Sequence, residues 1–394
     1  MLNFTTLPPL SLYIHYPWCA KKCPYCDFNS YATANNSELS NKQGDKERDM
    51  AYVKALLQDL QQELPSIWGR TVHTVFIGGG TPSLIHPDAL HELISHIKAL
   101  LNLPPMAEIT MEANPGTVDQ DKFTAFRQAG ITRLSMGIQS FDNALLQRIG
   151  RIHNSLQAKQ AINRAQEGGF DNINLDLMYA LPGQSLQQAL DDVQQALDFD
   201  TAHLSHYQLT LEPNTLFASQ PPWLPDDDLA WDMQLECQQL LRDHGLYHYE
   251  ISAYSKPGQH SRHNLNYWQF GDYMGIGAGA HGKISDASRQ SITRHWKVKH
   301  PASYLEKAQN SIMIGGEERL SRKDIGFEFM LNASRLVDGF DTEIFALHTG
   351  LAINQIAAGL QKAVELDLIE WELHHIKPTE RGLRYLNELQ AIFL

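Results

Sequence analysis

The sequence predicts an α/β protein: an open, partial (β/α)6 barrel over residues 1–215, a covering extension over 216–310, and a mainly helical, winged-helix-like domain over 311–394. Three observations predict it. Six short apolar runs alternate with stretches of helical periodicity, the order that builds a parallel sheet. Six such units are too few for a closed eight-stranded barrel. After about residue 215 the alternation stops, and from about Ser311 a separate helical block begins.

The expected strands are Leu12–His15, Val75–Ile77, Ile109–Glu112, Leu134–Ile138, Ile173–Met178 and Leu204–Leu209. None reads as a clean polar/apolar alternation, which fits strands covered on both faces. Thr33–Asp49 is polar and predicts a long, mobile surface loop. Val53, Leu56, Leu57, Leu60 and Leu64 then keep the 3.6 period until Pro65 stops it. Leu90, Leu93, Ile94, Ile97 and Leu101 form a second helical stripe after Pro87, and Leu186, Leu190, Val193 and Leu197 a third, with Ser185 placed to cap it. Beyond the barrel, "DDLAWDMQLECQQLLRDHG" predicts a helix that stops at Gly245, and "YHYEISAYS" predicts a strand. The short strand "LIEWE" followed by "IKPTERGLRYLNELQ" looks like the end of a winged-helix module. Residues 301–394 hold 9 Lys and Arg against 14 Asp and Glu, a balance that favours packing or partner docking over DNA reading.

With 394 residues, 43% of them hydrophobic, the chain can bury a large core. Its formal charge of −13 lacks the basic bias of a phosphate-backbone binder, so nucleic acid is not an expected partner. The N-terminus has no basic stretch followed by an apolar one, and no run of roughly 18 apolar residues occurs, so a cytoplasmic protein is expected. In a reducing compartment, closely spaced cysteines point to metal or redox work.

Three of the four cysteines, Cys19, Cys23 and Cys26, sit in "CAKKCPYC" at C-x3-C-x2-C spacing. Three thiolates on one loop suit an iron–sulfur cluster with one corner open to a chelating ligand. The spacing favours that cluster; with His15 nearby, an ordinary zinc site, as in a zinc-stabilised regulatory protein, is the second reading. Cys237 shares an apolar helical stripe with Leu229, Met233, Leu240 and Leu241 and reads as core.

Parallel sheets gather function at the carboxyl ends of their strands. Those ends carry "GGGTPS" (Gly78–Ser83), Glu112 in "MEANP", Gln139 in "GIQSF" and Asp176 in "NLDLMYALPG". Glycines there let backbone approach a ligand closely. Glu112 and Asp176 suit ligand amino or hydroxyl groups, and Arg151 in "GRIH" suits a carboxylate. In "HNLNYW", His263 offers an imidazole for iron, and Tyr267 and Trp268 offer flat apolar surface. From the residues alone, a hydrogen-bonded loop histidine with core aromatics is the favoured reading of that segment.

The cysteine spacing beside an aromatic, followed by "GGGTP", resembles the radical S-adenosylmethionine (SAM) superfamily. The order "HYPWC… GGGTPS… MEANPGT… GIQSF… GRIH… NLDLMYALPG" is similar, over nearly the whole chain, to the oxygen-independent coproporphyrinogen III oxidase group. The resemblance implies a 4Fe–4S cluster on Cys19, Cys23 and Cys26, with the open iron chelated by SAM. It implies that Tyr13, Tyr25, Gly79, Gly80, Thr81 and Glu112 line that SAM. Gln139, Arg151 and Asp176 match positions contacting SAM, including a second molecule, in the dehydrogenase members. Gly275–Gly282 would close over the cofactor; beside His263, His281 and His153 are weaker candidates for an iron ligand.

The dehydrogenases resemble C-x3-C-x2-C-x-C. Phe28 in the last place, and the short stretch before the first strand, resemble instead the HemW-type haem-chaperone branch. So does H-N-x-x-Y-W, which implies haem binding by His263, Asn264, Tyr267 and Trp268. The implied function is haem delivery to acceptor haem proteins, membrane-bound respiratory subunits among them. Peripheral membrane association and a homodimer are further expectations. A radical SAM coproporphyrinogen dehydrogenase is the alternative.

Overall fold

Six strands run in chain order through the N-terminal half: β1 (Leu10–Tyr16), β2 (Val72–Gly79), β3 (Glu108–Ala113), β4 (Arg133–Gln139), β5 (Ile173–Tyr179) and β6 (His203–Gln208). Each pairs with the next in parallel. The computed structural model describes residues 2–33, 42–310 and 312–394. Beyond β6 the sheet continues through the antiparallel pair β7 (Tyr247–Glu250) and β8 (Ala253–Ser255). On the other side of β1 lie β9 (Asp272–Ile276), parallel to it, and the antiparallel strands β10 (His281–Asp286), β11 (Ser291–Lys297) and β12 (Ile314–Arg319). The sheet therefore has 12 strands in the order β12-β11-β10-β9-β1-β2-β3-β4-β5-β6-β8-β7, with a six-unit parallel core.

The connecting helices follow their local signals. α1 (Lys42–Glu63) ends where Pro65 removes a backbone donor, α2 (Pro87–Leu100) starts on its proline, and α6 (Leu186–Leu197) opens with a capping box of Ser185 and Gln188. Between them come α3 (Gln120–Ala129), α4 (Asn143–Arg148) and α5 (Ser155–Glu167), and after β6 comes α7 (Asp227–Asp243). Their apolar stripes bury Leu56, Leu60, Leu93, Ile94 and Val193 against the outward side chains of the strands. Cys237 is buried in that core, as its stripe implies.

Three expectations change. Of the loop expected at Thr33–Asp49, residues 34–41 lie outside the described residues, and residues 42–49 form the first turns of α1. Polar side chains there are tied down by specific bonds: buried Asp49 accepts from the Tyr16 hydroxyl at 3.0 Å and from the His86 backbone N–H at 2.8 Å. "YHYEISAYS" forms two short strands joined by a tight turn. The barrel strands do alternate. In β4, Leu134, Met136 and Ile138 are fully buried, while Arg133, Ser135, Gly137 and Gln139 line an internal cavity. The inner face borders a polar cavity and not a dry core, so it carries polar residues at period two.

The C-terminal residues build a second apolar cluster, with Phe329, Phe345, Leu360 and Ile376 at its centre. It holds helices and a small sheet whose strands Ile369–Glu372 and His375–Pro378 pair antiparallel.

Candidate functional site

Cys19, Cys23 and Cys26 are free thiols on the loop after β1, and all three line a cavity of about 850 Å³ that follows the inner face of the barrel. The loop is seated by backbone bonds: Gly80 N–H donates to Tyr16 O and Thr81 N–H to Trp18 O, both at 2.7 Å. A Cβ at Gly80 would lie 2.6 Å from Trp18 O, and Gly79 has φ +116°. The glycines after β2 therefore admit the cysteine loop's own backbone; this close approach is to protein, where the sequence suggested a ligand.

Burial raises the Cys19 and Cys26 thiols above their ordinary range. Against this, Arg151 reaches Cys23 Sγ with Nη1 at 3.8 Å and donates from Nη2 to Gly137 O at 2.6 Å. Its Nε is buried without a partner. A buried guanidinium with a spare donor suits an anionic ligand beside it. Zinc fits less well. Both ring nitrogens of His15 are engaged, by the Tyr13 hydroxyl and Asn29 O, each at 2.9 Å. Among the described residues, no group of three His, Cys, Asp or Glu is arranged to hold a single ion. Three thiols on one cavity rim, with a cation at their back, suit a polynuclear cluster better.

Tyr25, Gly79, Gly80, Thr81, Glu112, Gln139, Arg151 and Asp176 line the same cavity. Gln139 sits at a register shift at the end of β4 with φ +69°, and its Oε1 accepts from the Tyr207 hydroxyl at 3.0 Å. That irregular backbone aims the side chain out of the strand's regular path. Tyr13 does not reach the wall; it stands behind it, stacked on Phe76. Gly275–Gly282 is also absent from the wall. It is a packing turn, where a Cβ at Gly277 would lie 2.5 Å from His15 O. His153 is buried on Ile138 O, and His281 stacks on Trp296.

Glu112 and Asp176 are two buried carboxylates on this wall. Burial first, and the charge of Asp176 second, push Glu112 up to about 7, against the N–H bond it accepts from Gly79 at 3.0 Å. Asp176 is raised by burial, opposed by its bonds from Asn174, Ser205 and Ser135. Tyr13 and Tyr207 are the other titratable groups coupled to Glu112. A carboxyl raised on folding stabilises the native state below its ordinary range, and that stability is lost as pH rises through about 7. The full effect for Glu112 is about 3 kcal/mol. Thermal melts of the ligand-free protein should therefore show lower stability at pH 8 than at pH 5, and Glu112→Gln should flatten that slope. An unaltered slope in the variant would show that Glu112 is not the titrating group. A cationic ligand group would reverse the cost by keeping the carboxylate ionised.

The segment His263–Trp268 belongs to the short helix α8 (Arg262–Trp268), capped by Ser261. Asn264, Tyr267 and Trp268 line the cavity; His263 does not. His263 is fully buried, with Nδ1 bonded to Thr74 Oγ1 at 2.8 Å and Nε2 to the Tyr267 hydroxyl at 3.1 Å. Burial, then the charge of Arg133, lower it to about 3. In this conformation it is a neutral, doubly bonded imidazole that positions Tyr267. The wall also includes Phe76, Arg133, Ser135, Asn174 and Ser205, which strand-end reasoning missed. Their signal was the period-two alternation within β2 and β4 to β6.

Comparison with known proteins adds five findings. A model of the radical SAM superfamily matches residues 13–196, and one of the HemN C-terminal domain matches residues 320–385. The chain is 46% identical to heme chaperone HemW of Haemophilus influenzae over 392 residues, 98% of each chain. It is 45% identical to heme chaperone HemW of Escherichia coli over 388 residues, 98% of this chain and 99% of that one. Its fold matches that of coproporphyrinogen III oxidase (HemN) from Escherichia coli, a radical SAM enzyme, with a TM-score of 0.80 at 22% identity, across 98% of this chain and 90% of that one.

Proposed function

The chain belongs to the heme chaperone HemW family within the radical SAM superfamily, and from that premise we propose that it binds haem and delivers it to acceptor haem proteins. In this reading Cys19, Cys23 and Cys26 hold a 4Fe–4S cluster, and SAM lies between them and Glu112. Such a cluster supplies an electron to SAM and an open iron for its amino and carboxylate groups. Glu112 and Asp176 supply acceptors for amino and hydroxyl groups, and Arg151 supplies donors for a carboxylate.

The observation that carries the haem reading is that α8 presents Asn264, Tyr267 and Trp268 into the cavity that the cysteines rim. The aromatic faces suit a flat macrocycle, and Phe28 adds an apolar side chain, 56% exposed, beside the cysteines. His263 becomes an iron ligand when Tyr267 releases its Nε2. Its low basicity then matters, because protons do not compete for the lone pair near neutral pH. Acceptors would be haem proteins, membrane-bound respiratory subunits among them. Among the described residues no helix is long and apolar enough to cross a membrane.

The test is haem titration of the cluster-loaded protein, followed by transfer to an apo haem protein, alongside an anaerobic assay with coproporphyrinogen. Saturable binding and transfer without turnover are expected. Vinyl product from coproporphyrinogen would overturn the chaperone reading in favour of the dehydrogenase.

A further inference from the structure

The cavity carries a buried guanidinium near each of its ends, and each has an Nε without a hydrogen-bond partner. Arg151 is the one beside the cysteines. The other is Arg133, the first residue of β4. Six residues separate it from Gln139, so at about 3.3 Å per residue its backbone lies about 20 Å down the strand from the cysteine end.

Arg133 is 2% exposed and lines the cavity; its Nε is buried without a partner, its guanidinium makes no hydrogen bond or ion pair among the described residues, and its charge reaches Asp176 only from beyond ion-pair distance. The surrounding carboxylates are already engaged. Asp176 accepts from Asn174 Nδ2 at 2.7 Å and Ser135 Oγ at 3.1 Å. Glu108, on the neighbouring strand, accepts the backbone N–H groups of His263 and Arg262 at 3.0 and 3.2 Å. Glu250 pairs with Arg335 at 3.4 Å. A buried charge without a partner is costly, and it is retained where a ligand completes it.

A second donor points the same way. Trp268 lines the cavity and its indole N–H is buried without a partner. Its ring is held from behind by Arg335, whose guanidinium lies 4.3 Å from the ring centroid. Arg133 and Trp268 line the same cavity, and the charge of Arg133 is felt at His263, on the same helix as Trp268. Arg335 comes from the segment after the C-terminal domain's first helix, so that domain steadies one wall of the pocket.

We propose that the end of the cavity opposite the cysteines is a second anion site, in which Arg133 and the Trp268 indole N–H bind a carboxylate. Two molecules could bring one: a haem propionate, which rests on the haem-delivery reading, or the methionine carboxylate of a SAM molecule, which does not. The guanidinium fork matches a carboxylate, and α8 adds the aromatic surface expected beside a propionate.

The test measures binding of haem, haem dimethyl ester and SAM separately to wild type, Arg133→Gln and Arg133→Lys. If the carboxylate is a propionate, Arg133→Gln weakens haem about tenfold to a hundredfold, and the ester binds both proteins alike. SAM affinity then stays unchanged. If SAM alone is weakened, the site stands and its carboxylate is methionine's. If wild type binds no haem, the haem-delivery reading fails, and the SAM arm alone decides the site. Arg133→Lys keeps the charge without the fork, so an intermediate loss is expected, and it serves if the glutamine variant does not fold. Unchanged affinities for every ligand in a folded variant overturn the proposal.

Discussion

Cys23→Ala abolishes cluster assembly and leaves the barrel folded. Reconstituted wild type should carry iron and sulfide with a broad visible absorption, whereas the variant should show background iron and no such band. The size of the effect follows from the ligand set: three thiols serve the cluster, and the remaining cysteine, Cys237, is buried in a helix core. The chain has no further thiol to take its place. The fold survives because the cysteine loop is closed on itself by backbone bonds that do not involve the Cys23 side chain. Thr33 N–H donates to Cys19 O, and Tyr31 N–H to Pro17 O, both at 2.8 Å. The far-ultraviolet circular dichroism should match wild type. Full iron and sulfide in the variant would remove Cys23 from the ligand set. Stoichiometric zinc in wild type, with no cluster band, would overturn the iron–sulfur reading altogether.

The second large effect is on haem. His263→Ala should weaken binding by more than the roughly 10–100-fold that loss of an outer partner of a metal ligand costs. Tyr267→Phe should act in the opposite direction. It removes the hydroxyl that now occupies Nε2 at 3.1 Å and keeps the ring. The freed bond is worth about 1 kcal/mol, so affinity should rise about fivefold, with the same absorption spectrum. The pair is needed because His263 also packs on Phe76 and bonds Thr74, so alanine disturbs the core as well. Unchanged affinity and spectrum in both variants would leave His263 as a core histidine that positions Tyr267, and haem would take its axial ligand elsewhere.

Much of the fold was legible. The six strands, the main amphipathic helices and the caps at Ser185 and Pro87 are local patterns, governed by residues a few positions apart. The cysteine site was legible for the same reason: Cys19, Cys23 and Cys26 share one short loop, so they line one cavity rim once the loop is seated. What misled was the rule that parallel strands are apolar on both faces. β4 reads Arg-Leu-Ser-Met-Gly-Ile-Gln, an alternation visible in the sequence but meaningful only if the inner face is wet. The polar stretch before α1 misled differently, because Asp49 is held by Tyr16 and by the His86 backbone, partners that hydropathy does not reveal.

By itself the sequence determined the class of fold, the three clustered thiols and the absence of a fourth at Phe28, since each is a matter of spacing along the chain. Only the tertiary structure decided which polar groups are left without partners. His263 was an apparent ligand and is found fully bonded. Arg133 has no distinguishing motif in the sequence and is found with its Nε unpartnered, in a cavity that Trp268 enters from more than a hundred residues away. Whether a donor is satisfied depends on every group the folded chain brings within about 3 Å of it, and no stretch of sequence contains that list.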